Sequence, residues 1–201
     1  MKRTRNTYTP KTPAKKVAKT TNAVAMYKQP TNPIRFIKRH ADIGVRNGDS
    51  ITNSYYGESF TLNQVPGYTE LTTLYDQYKI NAIELTWYPR NTEITPFTTA
   101  PNNARILIRT DYSDATAPTS LNVIREYENC KVFGFSEKFT WYIDKPKILD
   151  SSSSNRTAWI ATTDVTQKHY GIKFAMEPFG AGGQYGWAVE ACFYLAFKNV
   201  K

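Results

Sequence analysis

Residues 75–90 read YDQYKINAIELTWYPR. Ile83, Leu85 and Trp87 fall on alternate positions, with Glu84, Thr86 and Tyr88 between them. A period of two puts the first set on one face of a strand, against a core, and the second on the other. The run stops at Pro89-Arg90, where proline has no backbone N–H for a further ladder bond. The stretch is therefore a long, half-buried strand over residues 78–89, and it contains no obvious catalytic group.

The same pattern recurs on both sides of it. Trp187, Val189, Ala191, Phe193, Leu195 and Phe197 occupy every second position, with Glu190, Tyr194 and Lys198 opposite. FTWYID (139–144) sets Phe139, Trp141 and Ile143 against Thr140, Tyr142 and Asp144. YGIKFAME (170–177) sets Ile172, Phe174 and Met176 against Lys173, Ala175 and Glu177. Weaker strands are expected at 34–45, at 55–62 with Phe60 and Leu62 on one face, at 104–111 and at 130–135. Two short helices interrupt them. Tyr68, Leu71, Leu74 and Tyr75 have helical spacing, and residues 119–128 allow a turn or two behind Thr119 or Ser120 as N-cap. Eight strands joined by long loops, notably 90–103 and 148–169, predict an all-β chain folded as a single jelly-roll sandwich of antiparallel strands.

Charge divides the chain in two. The sequence has 26 Lys and Arg against 17 Asp and Glu, a net charge of +9. Eleven of those basic residues precede the first acidic one, Asp42: Lys2, Arg3, Arg5, Lys11, Lys15, Lys16, Lys19, Lys28, Arg35, Lys38 and Arg39. That leaves 15 basic residues against 17 acidic ones from residue 42 onward, so the body is net −2 and the arm carries the whole excess. An acid-free basic segment with few apolar residues cannot offset the entropy of ordering, and it seeks a polyanion. Residues 1–33 are accordingly expected to be a disordered, nucleic-acid-binding arm, and 34–201 the folded domain. No run approaches the ~18 apolar residues of a membrane span. The N-terminus has no apolar core of a secretory signal. Cys130 and Cys192, the only two cysteines, cannot form a disulfide framework and read as buried thiols, with a bridge between them left open.

A search for chemistry returns little. His40 and His169 are the only histidines, lie in different segments, and make no metal-ligand spacing; they read as surface or loop residues. Ser151–Ser154 lack a nucleophile-elbow context. Asp111 and Asp114 suit turn chemistry, with cation binding left open. The glycine-rich 180–186 leads into a strand, so it cannot place a phosphate on a helix N-terminus. The sequon at Asn155 reads as unused without a secretory signal. An enzyme is disfavoured, with no catalytic residue, metal or cofactor expected.

Residues 58–90, ESFTLNQVPGYTELTTLYDQYKINAIELTWYPR, resemble the capsid proteins of circovirus-like small circular single-stranded DNA (CRESS-DNA) viruses. Phe174-Ala-Met-Glu177, the closing Tyr194-Leu-Ala-Phe-Lys198 and the basic start MKRTR are similar to that family as well. The arm departs from it in having more Lys and Thr and less Arg. The resemblance implies two four-stranded sheets packed face to face, one formed by 34–45, 78–89, 138–147 and 187–198. It also implies a T=1 icosahedral shell of about 60 copies, with the arm turned inward onto a single-stranded DNA genome. Lys2-Arg3, Arg5 and Lys15-Lys16 would then double as a nuclear import signal. Further expected partners are a host import receptor and a cell-surface receptor, without membrane insertion. The location would be the virion, and the host nucleus or cytoplasm during assembly. The alternatives are the coat of a small RNA satellite virus, a non-viral basic-tailed nucleic-acid-binding module, or a jelly-roll sugar binder.

Overall fold

Two antiparallel sheets pack face to face around an aromatic core in the computed structural model, which describes residues 33–90, 104–149, 155–178 and 185–201. The first sheet has the order β1 (Arg35–Gly48), β11 (Tyr185–Val200), β3 (Tyr75–Pro89), β6 (Phe139–Asp144). The second runs β2 (Ser54–Phe60), β10 (His169–Met176), β4 (Arg105–Arg109), β5 (Lys131–Gly134). All eight expected strands are present, and they divide between the sheets as the resemblance implied. This is the jelly roll.

Residues 148–169 are not one irregular loop. They add a two-stranded hairpin of β7 (Ile148–Leu149) and β8 (Asn155–Arg156), and β9 (Ile160–Ala161), which pairs with β3. These runs of two residues are too short to show a period. The expected strand over 55–62 ends at Phe60, and Leu62 lies instead in a 3-10 turn, Leu62–Gln64. Both side chains are still buried, Leu62 through the turn rather than through strand alternation. Thr61 and Gln64 close a capping box on that turn. Gly67, at φ 74°, then supplies the left-handed residue that starts α1 (Tyr68–Leu74).

β3 is longer than its alternation suggested because it carries a bulge. Leu195 of β11 faces Ile80 and Tyr194 faces Ala82, so Asn81 is the extra residue. The phase of the strand reverses there. Tyr78 and Ile80 are buried before the bulge, and Ile83, Leu85 and Trp87 after it, all in one core. The carbonyl of Asn81 accepts a bond from Lys145 N–H at 2.9 Å, tying the bulge to the turn after β6.

The core is a file of rings. Phe133 stacks on Phe139 at 3.9 Å between centroids, Phe139 on Trp87 at 5.5 Å, Trp87 meets Phe174 edge-on at 4.9 Å, and Phe174 stacks on Tyr56 at 4.8 Å. The file crosses from the free edge strand β5 to the opposite edge strand β2. Such pairs add about 0.5–1.5 kcal/mol each beyond area burial. The β1–β2 connection is an Asx turn in which Asp49 Oδ1 accepts from Ile51 N (2.7 Å) and Thr52 N (2.8 Å).

Candidate nucleic-acid interface

β1 is the edge strand on which the basic arm ends. Arg35, Lys38 and Arg39 are all exposed on it, but register divides them. Arg35 and Arg39 stand opposite Phe197 and Phe193, on the core-facing side of the sheet. Lys38 stands opposite Tyr194, on the outer side. The three residues therefore share an edge without sharing a face. Lys2, Arg3, Arg5, Lys11, Lys15, Lys16, Lys19 and Lys28 lie outside the described residues.

The outer face around Lys38 combines cations with rings. Lys38 Nζ lies 5.2 Å from the Tyr194 ring centroid, and the Tyr194 hydroxyl donates to Glu84 Oε2 at 3.1 Å. The hydrogen bond to Tyr194 raises the Lys38 ammonium above its usual range, so it is charged at neutral pH. Tyr142 meets Tyr194 edge-on at 6.3 Å. Two rows toward the end of β11, past Ala196, Lys198 Nζ sits 4.5 Å above the Trp159 ring. Lys79 stands opposite Ala196, which in turn faces Phe36 across β1. At the same end of the sheet the C-terminus is fastened to α1: Lys201 N–H donates to Leu74 O (3.1 Å) and Lys201 Nζ to Thr72 O (2.7 Å).

The polar residues that invited a catalytic or metal reading are otherwise engaged. Arg109 donates to Asp111 Oδ2 (2.6 Å) and to Val123 O (3.0 Å), with its guanidinium 3.5 Å over the Tyr127 ring. Lys173 Nζ donates to Asp114 Oδ1 at 2.9 Å and lies 3.5 Å from Asp111 Oδ2. Burial pushes the Asp111 carboxyl up, but hydrogen bonds from Ser113 and the charges of Lys173 and Arg109 outweigh it and hold it below the ordinary range. The bond from Lys173 does the same for Asp114. Among the described residues no group of His, Cys, Asp and Glu could hold a metal ion.

His169 is not a surface histidine. It is 2% exposed, with Nδ1 3.1 Å from Gln167 O and 3.3 Å from Phe60 O. Burial lowers its pKa to about 4. Cys192 is buried, Cys130 half-buried, and both are free thiols. No helix among the described residues is long and apolar enough to cross a membrane.

A family model described as Circovirus capsid protein matches residues 2–201. The chain belongs to the circovirus capsid protein family. The fold agrees. The capsid protein is similar to the 60-mer BFDV capsid protein structure (TM-score 0.59, 15% identity, 84% of this chain and 95% of that one). It is similar to the decameric BFDV capsid protein (TM-score 0.57, 17% identity, 83% and 100%) and to a tobacco necrosis virus structure (TM-score 0.57, 8% identity, 84% and 97%). A search of curated proteins gives no match. The role of this capsid protein is structural rather than enzymatic, and it is a component of the virion.

Two features of the capsid protein were hidden from sequence reasoning. Lys79 sits before the β3 bulge, where the phase read from Ile83 onward puts it on the wrong face. Lys173 alternates with Phe174, on the side of β10 away from the sandwich core, yet it is only 7% exposed. Its ammonium is enclosed by Asp111, Ser113 and Asp114 of the segment after β4, while α2 (Leu121–Arg125), capped by Ser120, packs on the same outer face of the second sheet, where Ile124 covers Leu107 and Ala175. The sequence signal was present in the apolar Leu121, Val123 and Ile124, which need a surface to cover.

Proposed function

We propose that this capsid protein closes into an icosahedral T=1 shell of about 60 copies and packages circular single-stranded DNA through its basic N-terminal arm. The observation that carries the packaging step is the segregation of charge: eleven basic residues and no acidic one precede Asp42, and the body that follows is net −2. The 60-mer and decamer states of the BFDV relative support the copy number and the closed symmetry. Family membership favours the DNA genome over the RNA of a satellite virus. Lys2-Arg3, Arg5 and Lys15-Lys16 serve as a nuclear import signal for a host import receptor. The residues that follow the arm, Arg35, Lys38 and Arg39, extend its basic lining onto the exposed edge of the sheet.

Assembly then couples two modest contributions. Lateral contacts between domains close the shell, and arms that neutralise phosphates release counterions and gather subunits on one genome. With all eleven basic residues engaged, the slope of log K against log salt is at most about −0.7 × 11, or −8 per subunit. Deleting residues 2–28 should abolish binding to single-stranded DNA at moderate salt while leaving a folded domain by circular dichroism. Undiminished binding by the truncated protein would refute the arm's role. Negative-stain microscopy with and without single-stranded DNA tests assembly: uniform closed shells are expected, and their absence under every condition would refute it.

A further inference from the structure

We propose that the outer face of the first sheet, at the end where β1 begins, is a stacking platform for the bases of single-stranded nucleic acid, with Phe36 as its leading ring. This rests on the packaging reading above and adds to it a contact with bases, made by the folded domain, beside the contact with phosphates made by the arm.

Phe36 is 75% exposed on a regular strand, and no core function accounts for it. It follows the arm closely, and its register partners across the sheet are Ala196 and then Lys79. A small alanine between them leaves the ring face uncovered and puts a cation within reach. The next residue on that face of β1 is Lys38, about 6.7 Å further on. It lies beside the Tyr194 ring. Lys198 sits over Trp159 on the same face. Three rings and three ammonium groups thus interleave: Phe36, Tyr194 and Trp159 with Lys38, Lys79 and Lys198.

Sequence-tolerant binding of single strands needs this combination, because any base presents a π-face to a ring while cations follow the backbone. Charge is graded along the face in the same sense. The acidic pair Asp42 and Glu190 lies at the far rows, away from the arm. Glu84 is engaged by the Tyr194 hydroxyl. Asp144 has Lys145 at 3.5 Å. A strand of nucleic acid held by the arm is thereby delivered to the cationic, aromatic half of the sheet.

The test uses the full-length protein, with Phe36→Ser as the variant, since so exposed a ring can be removed without opening the core. Affinity is measured by fluorescence anisotropy for a labelled oligothymidylate and for an abasic oligomer of equal length and charge. The platform predicts that the wild type prefers the oligothymidylate. It predicts that Phe36→Ser lowers that affinity about tenfold, within the range of about 5- to 150-fold for losing one stacked base. Binding of the abasic oligomer and the salt slope should stay unchanged. Equal affinity of wild type and variant for the oligothymidylate overturns the proposal, as does an equal loss on both oligomers. A variant that changes only sedimentation or shell formation, with DNA affinity intact, assigns Phe36 to contact with a second copy and also overturns it. Failure of the arm is read separately, from the slope and from the 2–28 deletion.

Discussion

Replacing His169 by Asn should remove a defined part of the acid sensitivity of the unassembled subunit. The imidazole is 2% exposed, and its Nδ1 faces two backbone carbonyls, Gln167 O and Phe60 O. Desolvation disfavours the imidazolium and lowers the folded-state pKa from 6.5 to about 4. The hydrogen bonds to those carbonyls and the Asp164 charge pull the other way and recover only part of the loss. Above pH 6.5 the ring is neutral in both folded and unfolded chains, and the full stability is present. As pH falls from 6.5 to 4 the unfolded chain takes up the proton first, so stability falls, and below pH 4 this contribution is constant. At about 1.4 kcal/mol per unit, a depression of about 2.5 units costs about 3 kcal/mol across that window. Asn retains an N–H donor near the Nδ1 position and cannot titrate. Urea denaturation followed by tryptophan fluorescence at pH 7 and pH 4 should therefore show a drop smaller by about 3 kcal/mol in His169→Asn. Asp111 and Asp114 are held below the ordinary carboxylate range, so their losses fall at still lower pH. Identical pH dependence in wild type and variant would refute the reasoning.

Three further outcomes follow from the geometry. Lys173→Met leaves Asp111 with Arg109 as its one cation, beside the Ser113 hydrogen bonds, and strips Asp114 of its cation; a loss of about 3 kcal/mol in urea denaturation is expected for breaking a buried pair. Gly57→Ala directs a methyl group into the Ala115 carbonyl, a backbone atom that cannot swing aside; a loss of about 2 kcal/mol, and a lower thermal midpoint, is expected. Neutralising Arg35, Lys38 and Arg39 together to Gln should leave the fold intact by circular dichroism and reduce the magnitude of the single-stranded DNA salt slope by about 0.7 × 3, or 2.

The fold was legible in the sequence wherever one face of a strand is wet. β6 and the body of β3 alternate because solvent lies on one side, and a period of two reports that directly. β10 misled because both of its faces are covered, one by the sandwich core and the other by α2, and Lys173 is tolerated there only through its two carboxylates. β1 alternates poorly for the opposite reason. It is an edge strand with exposed residues on both faces and an irregularity between Asp42 and Val45, where Gly44 takes φ 89°. His169 could not be read as buried, because its partners are carbonyls contributed by Gln167 and by Phe60 of a strand 109 residues away. The segregation of charge before Asp42 needed no structure at all, since it is visible in composition. The proposed platform did need one, because Phe36 and Lys79 come onto one row only through register.

The attachment of the arm to β1 also has a mechanical meaning. β1 lies against β11 in twelve registered residue pairs, from Arg35 with Phe197 to Gly48 with Tyr185. A pull along the strand from Arg35 loads those pairs side by side, in shear, instead of peeling them one after another. Tension applied along β1 would therefore meet the whole length of the ladder at once, and the end of β11 that lies beside Arg35 is itself moored to α1 through Lys201. The edge strand works as a tether whose strength grows with its length, which gives a reason for β1 to run well beyond the few residues needed to enter the sheet.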